Sequence, residues 1–387
     1  MSVEYQNVRV VQENRTLEKG CVLFEGTTIT EVTEGNLYKG DTVIDGNGLT
    51  VFPGFIDVHI HGANGHDVMD ATPEALRGIA AALPQEGTTS FLATTMTKSP
   101  EAIGNALRNA GQFDHEAAAG AEMLGVHLEG PFISEKKAGA QPTEHILLPS
   151  VSTFEAWREM SGDKIRMVTL APEQEGAEAL IRHIHHHGIT ASMGHTSATF
   201  EQAKHAVDLG VRHVTHLYNQ MSGFHHRDPG VVGASFTDER LMVELIVDYI
   251  HSTKEAVQIA YRQLTHERLL LITDAMRAKC LEAGTYDLGG QDVTVKGKEA
   301  VLKDGTLAGS ILTLTEAAGH MRDQLSLSDQ EILAITSLNA ARELGVDDRK
   351  GAIATGKDAD FVLVDGDFRV QATWARGNLV YEKEEQS

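Results

Sequence analysis

Eight short apolar runs alternate with helical patterns through the middle of this chain, and that alternation restricts the fold more than any other feature. The runs are Phe55–His61, Thr89–Thr95, Met123–Glu129, Arg166–Ala171, Thr190–His195, His213–Leu217, Met242–Asp248 and Leu269–Asp274. Strands separated by helices pair in parallel, because each helix carries the chain back to the end where the previous strand began. The segments between the runs carry helix signals. Thr72-Pro73-Glu74 and Ser99-Pro100-Glu101 each offer an N-cap followed by proline, whose missing N–H costs nothing in the first turn. Leu76, Ile79, Ala80 and Leu83 follow the i, i+3, i+4, i+7 spacing of one helix face. Ser252-Thr253-Lys254-Glu255 and Ser328-Asp329-Gln330-Glu331 read as capping boxes. Eight such units imply an α/β fold, a (β/α)8 TIM-like barrel. A doubly wound open sheet is the alternative, but no Gly-x-Gly-x-x-Gly follows the first run.

Both ends of the chain read differently. Val8–Val11, Cys21–Phe24 and Ile29–Val32 are short strands separated by glycine and polar turns, and so are Asp360–Asp365, Val370–Trp374 and Leu379–Tyr381. The expectation is a small β-sandwich domain formed by both termini, residues 1–53 and 345–387, beside a barrel of residues 54–344. Residues Thr285 to Gly305 read as a hairpin, with Gly289-Gly290 and Lys303-Asp304-Gly305 as turns. It is expected as a lid or as part of the small domain.

Composition removes several classes of function. The net charge of −22 over 387 residues opposes nucleic-acid binding, which needs a basic surface. No apolar run reaches the roughly 18 residues of a membrane span, and residues 1–11 lack a basic segment followed by an apolar one. The two cysteines, Cys21 and Cys280, form no Cys-x-x-Cys pair, so a thiolate zinc site is not expected and a reduced cytoplasm is. An anionic ligand would need cations of its own close by, since the global field is screened within about 8 Å. His183, His185, His186 and His187 fall in one helical segment and read as a solvated face.

Catalytic groups of such a barrel stand at the C-terminal ends of its strands. There the sequence places His59 and His61, Glu129, His195, His216 and Asp274. Along the first run, side chains alternate, so Asp57, His59 and His61 share one face and Val58 and Ile60 the other. Imidazole and carboxylate ligands without thiolate suit Zn²⁺, Fe²⁺, Mn²⁺ or Co²⁺. Such a metal activates water near neutral pH and polarises a carbonyl, and a carboxylate beside it can move the proton. The chemistry expected is hydrolysis of a carbon–nitrogen or ester bond.

Pro53-Gly54-Phe55-Ile56-Asp57-Val58-His59-Ile60-His61-Gly62 and Gly351-Ala352-Ile353 … Gly356-Lys357-Asp358-Ala359-Asp360 resemble the amidohydrolase superfamily. Gly125-Val126-His127-Leu128-Glu129-Gly130-Pro131-Phe132, Met193-Gly194-His195-Thr196, Thr215 to Met221, Arg227-Asp228-Pro229-Gly230 and Thr273-Asp274-Ala275 resemble, within it, the N-acetylglucosamine-6-phosphate deacetylase family. The resemblance covers nearly the whole chain. It implies Glu129, His195 and His216 as ligands of a main divalent metal, His59 and His61 as ligands of a second, and Asp274 as general base and acid. It implies a phosphorylated amino sugar as substrate, gripped by Ala140, Gln141, Asn219, Gln220, His251 and Leu307, with Arg227 reaching the neighbouring site of a homodimer. Some members have histidine where this chain has Gln141, whose neutral amide cannot act as a cation. Deacetylation of N-acetylgalactosamine 6-phosphate, or a cyclic-amide hydrolase, is the alternative. The latter often uses a carboxylated lysine at the end of strand four, whereas Lys164 stands at the opposite end. A non-enzymatic barrel is the third reading, disfavoured because all six candidate groups are present.

Overall fold

The computed structural model describes residues 2–114 and 119–384. Eight strands form one parallel sheet in chain order: Phe55–Ile60, Thr88–Thr94, Glu122–Glu129, Ile165–Leu170, Thr190–Met193, His213–Val214, Met242–Ile246 and Leu269–Ile272. The last strand meets the first just beyond its own end. There the Asp274 N–H donates to the His59 carbonyl and the His61 N–H to the Ala275 carbonyl, each at 2.9 Å. The sheet is therefore a nearly closed (β/α)8 barrel. Val58 and Ile60 lie in the main core with Leu76, Ile79, Ala80 and Leu83 of the first helix, Pro73–Ala82, and its C-cap. Each large side chain so buried contributes about 1.5–3 kcal/mol.

The caps follow the sequence with one shift. Thr72 and Ser99 accept from the N–H groups of Ala75 and Ala102, and Ser328 with Glu331 closes a reciprocal box. The helix Lys254–Arg268, however, is capped by Thr253, which accepts from the Ala256 N–H. Ser252 stays buried in the preceding loop, so the box expected at Ser252 is not formed.

The termini combine in a second, mixed eight-stranded sheet. Its order is Asn378–Glu382, Val370–Ala375, Phe361–Val364, Thr50–Pro53, Ser2–Val11, Thr16–Glu25 and Thr28–Glu34, with Thr42–Asp45 also paired to Ser2–Val11. Three strands separate Thr16–Glu25 from Val370–Ala375, which in a flat sheet would be roughly 19 Å. Yet the Phe24 and Trp374 rings lie 4.9 Å apart between centroids. The sheet thus curls over a core of Tyr5, Phe24, Phe361 and Trp374, as a sandwich does.

Glu122, at the foot of the third barrel strand, ties this region to the barrel. It accepts from Arg349 at 2.7 Å and lies 2.8 Å from the Lys350 ammonium, which also holds Asp360. Burial raises the carboxyl's pKa, but Arg349 and Lys350 outweigh it and bring it down to about 2. A depressed carboxyl stabilises the fold above its ordinary value of 4.5, and that contribution disappears as pH falls towards 2. Glu122→Gln is expected to lose about 2–3 kcal/mol at pH 7, with the gap in denaturant midpoint closing between pH 4.5 and 2. A gap independent of pH would remove the charge from this explanation.

Candidate metal centre

Four of the residues expected at strand ends lie beyond the strands, His61 by one position and the other three by two. The fifth strand stops at Met193, the sixth at Val214 and the eighth at Ile272. His195, His216 and Asp274 then take left-handed backbone angles, with φ of 46°, 32° and 48°. This conformation costs a non-glycine residue on the order of 1–3 kcal/mol and persists only where the surroundings enforce it. Its effect here is to turn three polar side chains from different loops towards the barrel axis. Gly194 allows the turn, since a Cβ there would lie 2.7 Å from both Thr169 and Thr215.

The side chains meet in two overlapping groups. In the first, Glu129 Oε1 lies 3.2 Å from His195 Nε2 and 3.2 Å from His216 Nε2, and the two nitrogens are 3.2 Å from each other. Donor atoms on a tetrahedral ion with bonds of about 2.0–2.1 Å are separated by about 3.3 Å. In the second, Asp274 Oδ1 lies 3.5 Å from His59 Nε2 and 3.3 Å from His61 Nε2. Glu129 belongs to both, because its Oε1 is 3.4 Å from His59 Nε2 and its Oε2 is 3.3 Å from His61 Nε2.

The outer nitrogens fix which inner ones carry lone pairs. His59 Nδ1 donates to Glu244 Oε2 at 2.9 Å, and His195 Nδ1 donates to the Lys137 carbonyl at 2.8 Å. Both Nε2 atoms are thereby left as acceptors facing the centre. His59 Nε2 is fully buried and makes no hydrogen bond. Buried imidazole nitrogens facing two buried carboxylates need a cation between them, a proton or a metal, so these residues fit a divalent metal.

Electrostatics keep the carboxylates ionised. Burial would raise Glu129 and Asp274, but the facing histidines hold both below the ordinary carboxylate range. His61 shows the converse: burial pulls its pKa down, while Asp274 and Glu129 push it up to about 10. A metal entering this site must displace protons.

A cavity of about 330 Å³ opens over the centre. Ala140, Gln141, Asn219, Gln220, His251 and Leu307 all line it, together with His61, Glu129, His195, His216 and Asp274. Arg227 does not; it is exposed, with its guanidinium 2.7 Å from His226 Nε2. The Thr285–Gly305 segment is a three-stranded meander rather than a hairpin, Gly284–Leu288, Gln291–Lys296 and Glu299–Val301. It packs Leu288, Val293 and Val295 on Met96 and Met276, and Leu288, with Leu307 just beyond the segment, lines the cavity. Gln291 Nε2 donates to the Ala140 carbonyl, joining the meander to the loop that carries Gln141.

The sequence matches the amidohydrolase family over residues 50–380. The chain belongs to that family. Divalent-metal use goes with it, in agreement with the donor groups above. This amidohydrolase is 46% identical to the N-acetylglucosamine-6-phosphate deacetylase of Bacillus subtilis, over 99% of this chain and 98% of the relative. It is 42% identical to the protein of the same name from Lysinibacillus sphaericus, over 98% of each chain. Among solved structures, a mutant N-acetyl-D-glucosamine-6-phosphate deacetylase from Mycobacterium smegmatis, in complex with N-acetyl-D-glucosamine-6-phosphate, superposes with a TM-score of 0.91. It is 29% identical, over 98% of this chain and 99% of that one.

The partners of Gln141 and the burial of Glu244 have no counterpart in the sequence analysis. Both ends of the Gln141 amide are engaged by the protein: Oε1 accepts from the Thr97 N–H at 2.7 Å and Nε2 donates to Glu129 Oε2 at 2.8 Å. Its neutral amide thus orients the carboxylate that both groups share. His127 packs its ring 4.6 Å from that of His59 and spends its nitrogens on the Val58 carbonyl and Thr169. Lys164 donates to the Ala110 and Phe113 carbonyls, away from the centre, so it is not placed to act as a carboxylated bridge. Glu244 was missed, although a carboxylate inside Met-Val-Glu-Leu-Ile is a signal in an otherwise apolar strand.

Proposed function

We propose that this amidohydrolase removes the acetyl group of N-acetylglucosamine 6-phosphate, giving glucosamine 6-phosphate and acetate. The observation that carries the reading is the convergence of Glu129, His195, His216, His59, His61 and Asp274 beneath a cavity lined by the expected sugar-contacting residues. Glu129, His195 and His216 would hold one divalent ion, and His59 and His61 with Glu129 a second; Zn, Fe, Mn and Co all suit the donors. A metal bound there supplies an activated water and polarises the amide carbonyl. Asp274, ionised and inside the centre, accepts the proton of the attacking water and returns it to the departing amine nitrogen. Gln141 keeps Glu129 in register. His251, whose Nδ1 donates to Asp248 Oδ2 at 2.7 Å, presents its other edge at the cavity. Leu288 of the meander contributes an apolar wall to the cavity.

Among the described residues no lysine or arginine lines the cavity, yet a phosphate needs one. Arg227 of a second copy would supply it. The loop that carries Arg227 also exposes Phe224 by 63%, an apolar group suited to a contact between copies. The barrel of residues 54–344 is thus the catalytic unit of a homodimer, and residues 1–53 with 345–387 its small domain. Both cysteines are free, in keeping with a cytoplasmic enzyme.

Acetate release from N-acetylglucosamine 6-phosphate should exceed that from the galacto epimer; metal-bound protein that cleaves neither would move the reading to a cyclic amide. Mixing Arg227→Ala with Asp274→Asn subunits should restore about a quarter of the sites, since each mixed dimer builds one complete site. No recovery on mixing would place Arg227 outside the neighbouring site.

A further inference from the structure

Glu244 is a fully buried carboxylate in the seventh barrel strand, between Val243 and Leu245. Such a group costs several kcal/mol unless it is well paired, and an apolar residue would serve the barrel's stability better. Its partners show another use. Oε2 accepts from His59 Nδ1 at 2.9 Å and from the backbone N–H of His216 at 3.0 Å. Oε1 accepts from His213 Nε2 at 3.0 Å, and His213 Nδ1 donates to Glu343 Oε1 at 2.7 Å. His59, Glu244, His213 and Glu343 thus form one continuous buried chain, running from the metal centre towards the opposite end of the barrel.

We propose that Glu244 is the positioning residue of the metal centre, holding with a single oxygen the His59 imidazole of one donor group and the His216 peptide of the other. The proposal rests on the metal reading above. Through His59 it sets the tautomer, leaving Nε2 a lone pair towards Glu129 and Asp274. Through His216 it pins a residue whose φ of 32° no side chain adopts without restraint. His213 and Glu343 anchor Glu244 in turn, so that the carboxylate cannot rotate away from either donor.

The test is Zn²⁺ titration of the metal-stripped full chain against a chromophoric chelator, with the thermal midpoint of each metal-free form measured beside it. Glu244→Gln keeps the shape and removes the charge. It is expected to weaken zinc binding at both positions by about 10–100-fold, to lower kcat with KM little changed, and to leave a cooperative metal-free fold. Glu343→Gln, remote from the ions, should shift zinc affinity in the same direction by less. If Glu244→Gln does not fold, Glu343→Gln decides alone. Zinc affinities equal to the unsubstituted chain in the folded variants would overturn the proposal, as would a loss confined to the thermal midpoint. Should the unsubstituted chain itself fail to bind zinc, the metal reading falls first.

Discussion

Asp274→Asn is expected to retain metal at Glu129, His195 and His216 and to lose about 10²–10⁴-fold in kcat. Asparagine matches aspartate in shape, and the backbone that places it is held independently. The Asp274 N–H donates to the His59 carbonyl, and its own carbonyl accepts from the Ser310 N–H at 2.8 Å. What the substitution removes is a base 3.3 Å from His61 Nε2. Weaker occupancy at His59 and His61 is expected alongside, since Asp274 Oδ1 faces both nitrogens. Metal content and steady-state rates measured on one preparation check this. Normal turnover by the variant would remove Asp274 from the proton transfer.

Stripping the metal, or Glu129→Gln, should abolish activity by at least about 10³-fold, because several kcal/mol of charge stabilisation and the activated water disappear together. Glu129 is the most damaging single ligand to change, because its two oxygens face both groups of histidines. A pH dependence follows from His61. With its pKa at about 10 in the metal-free protein, this imidazole is protonated at neutral pH, and metal binding must release that proton. Affinity should therefore rise with pH towards 10 and fall by up to tenfold per unit below it for this one proton. Calorimetry in buffers of different ionisation enthalpy counts the protons released; binding with no proton release would contradict the assignment of His61.

The barrel was legible because strand starts and helix caps are local. The proline at the first helical position after Thr72 and Ser99, and the apolar spacing of Leu76, Ile79, Ala80 and Leu83, depend only on neighbours along the chain. The chemistry-bearing residues were legible because histidine and glutamate at the ends of apolar runs have no role in packing. Their backbone was not. Alternation along a strand assigns a face to His59 and His61, but His195, His216 and Asp274 leave their strands through left-handed turns that tertiary contacts impose. The same limit applies to Gln141. Its partners, Thr97 in another loop and Glu129 at the end of the third strand, are distant in sequence, so its hold on the shared carboxylate has no local signal. Glu244 needs His59, His213 and His216 beside it before its burial makes sense. The curl that brings Phe24 to Trp374 depends on pairing between the two ends of the chain, which no local pattern carries.

The most direct test of metal-dependent deacetylation is amine release from N-acetylglucosamine 6-phosphate beside unphosphorylated N-acetylglucosamine, with metal content assayed in the same tube. Bound divalent metal and a strong preference for the phosphorylated sugar are the expected result. Metal bound with equal cleavage of both sugars, or with cleavage of neither, would contradict it.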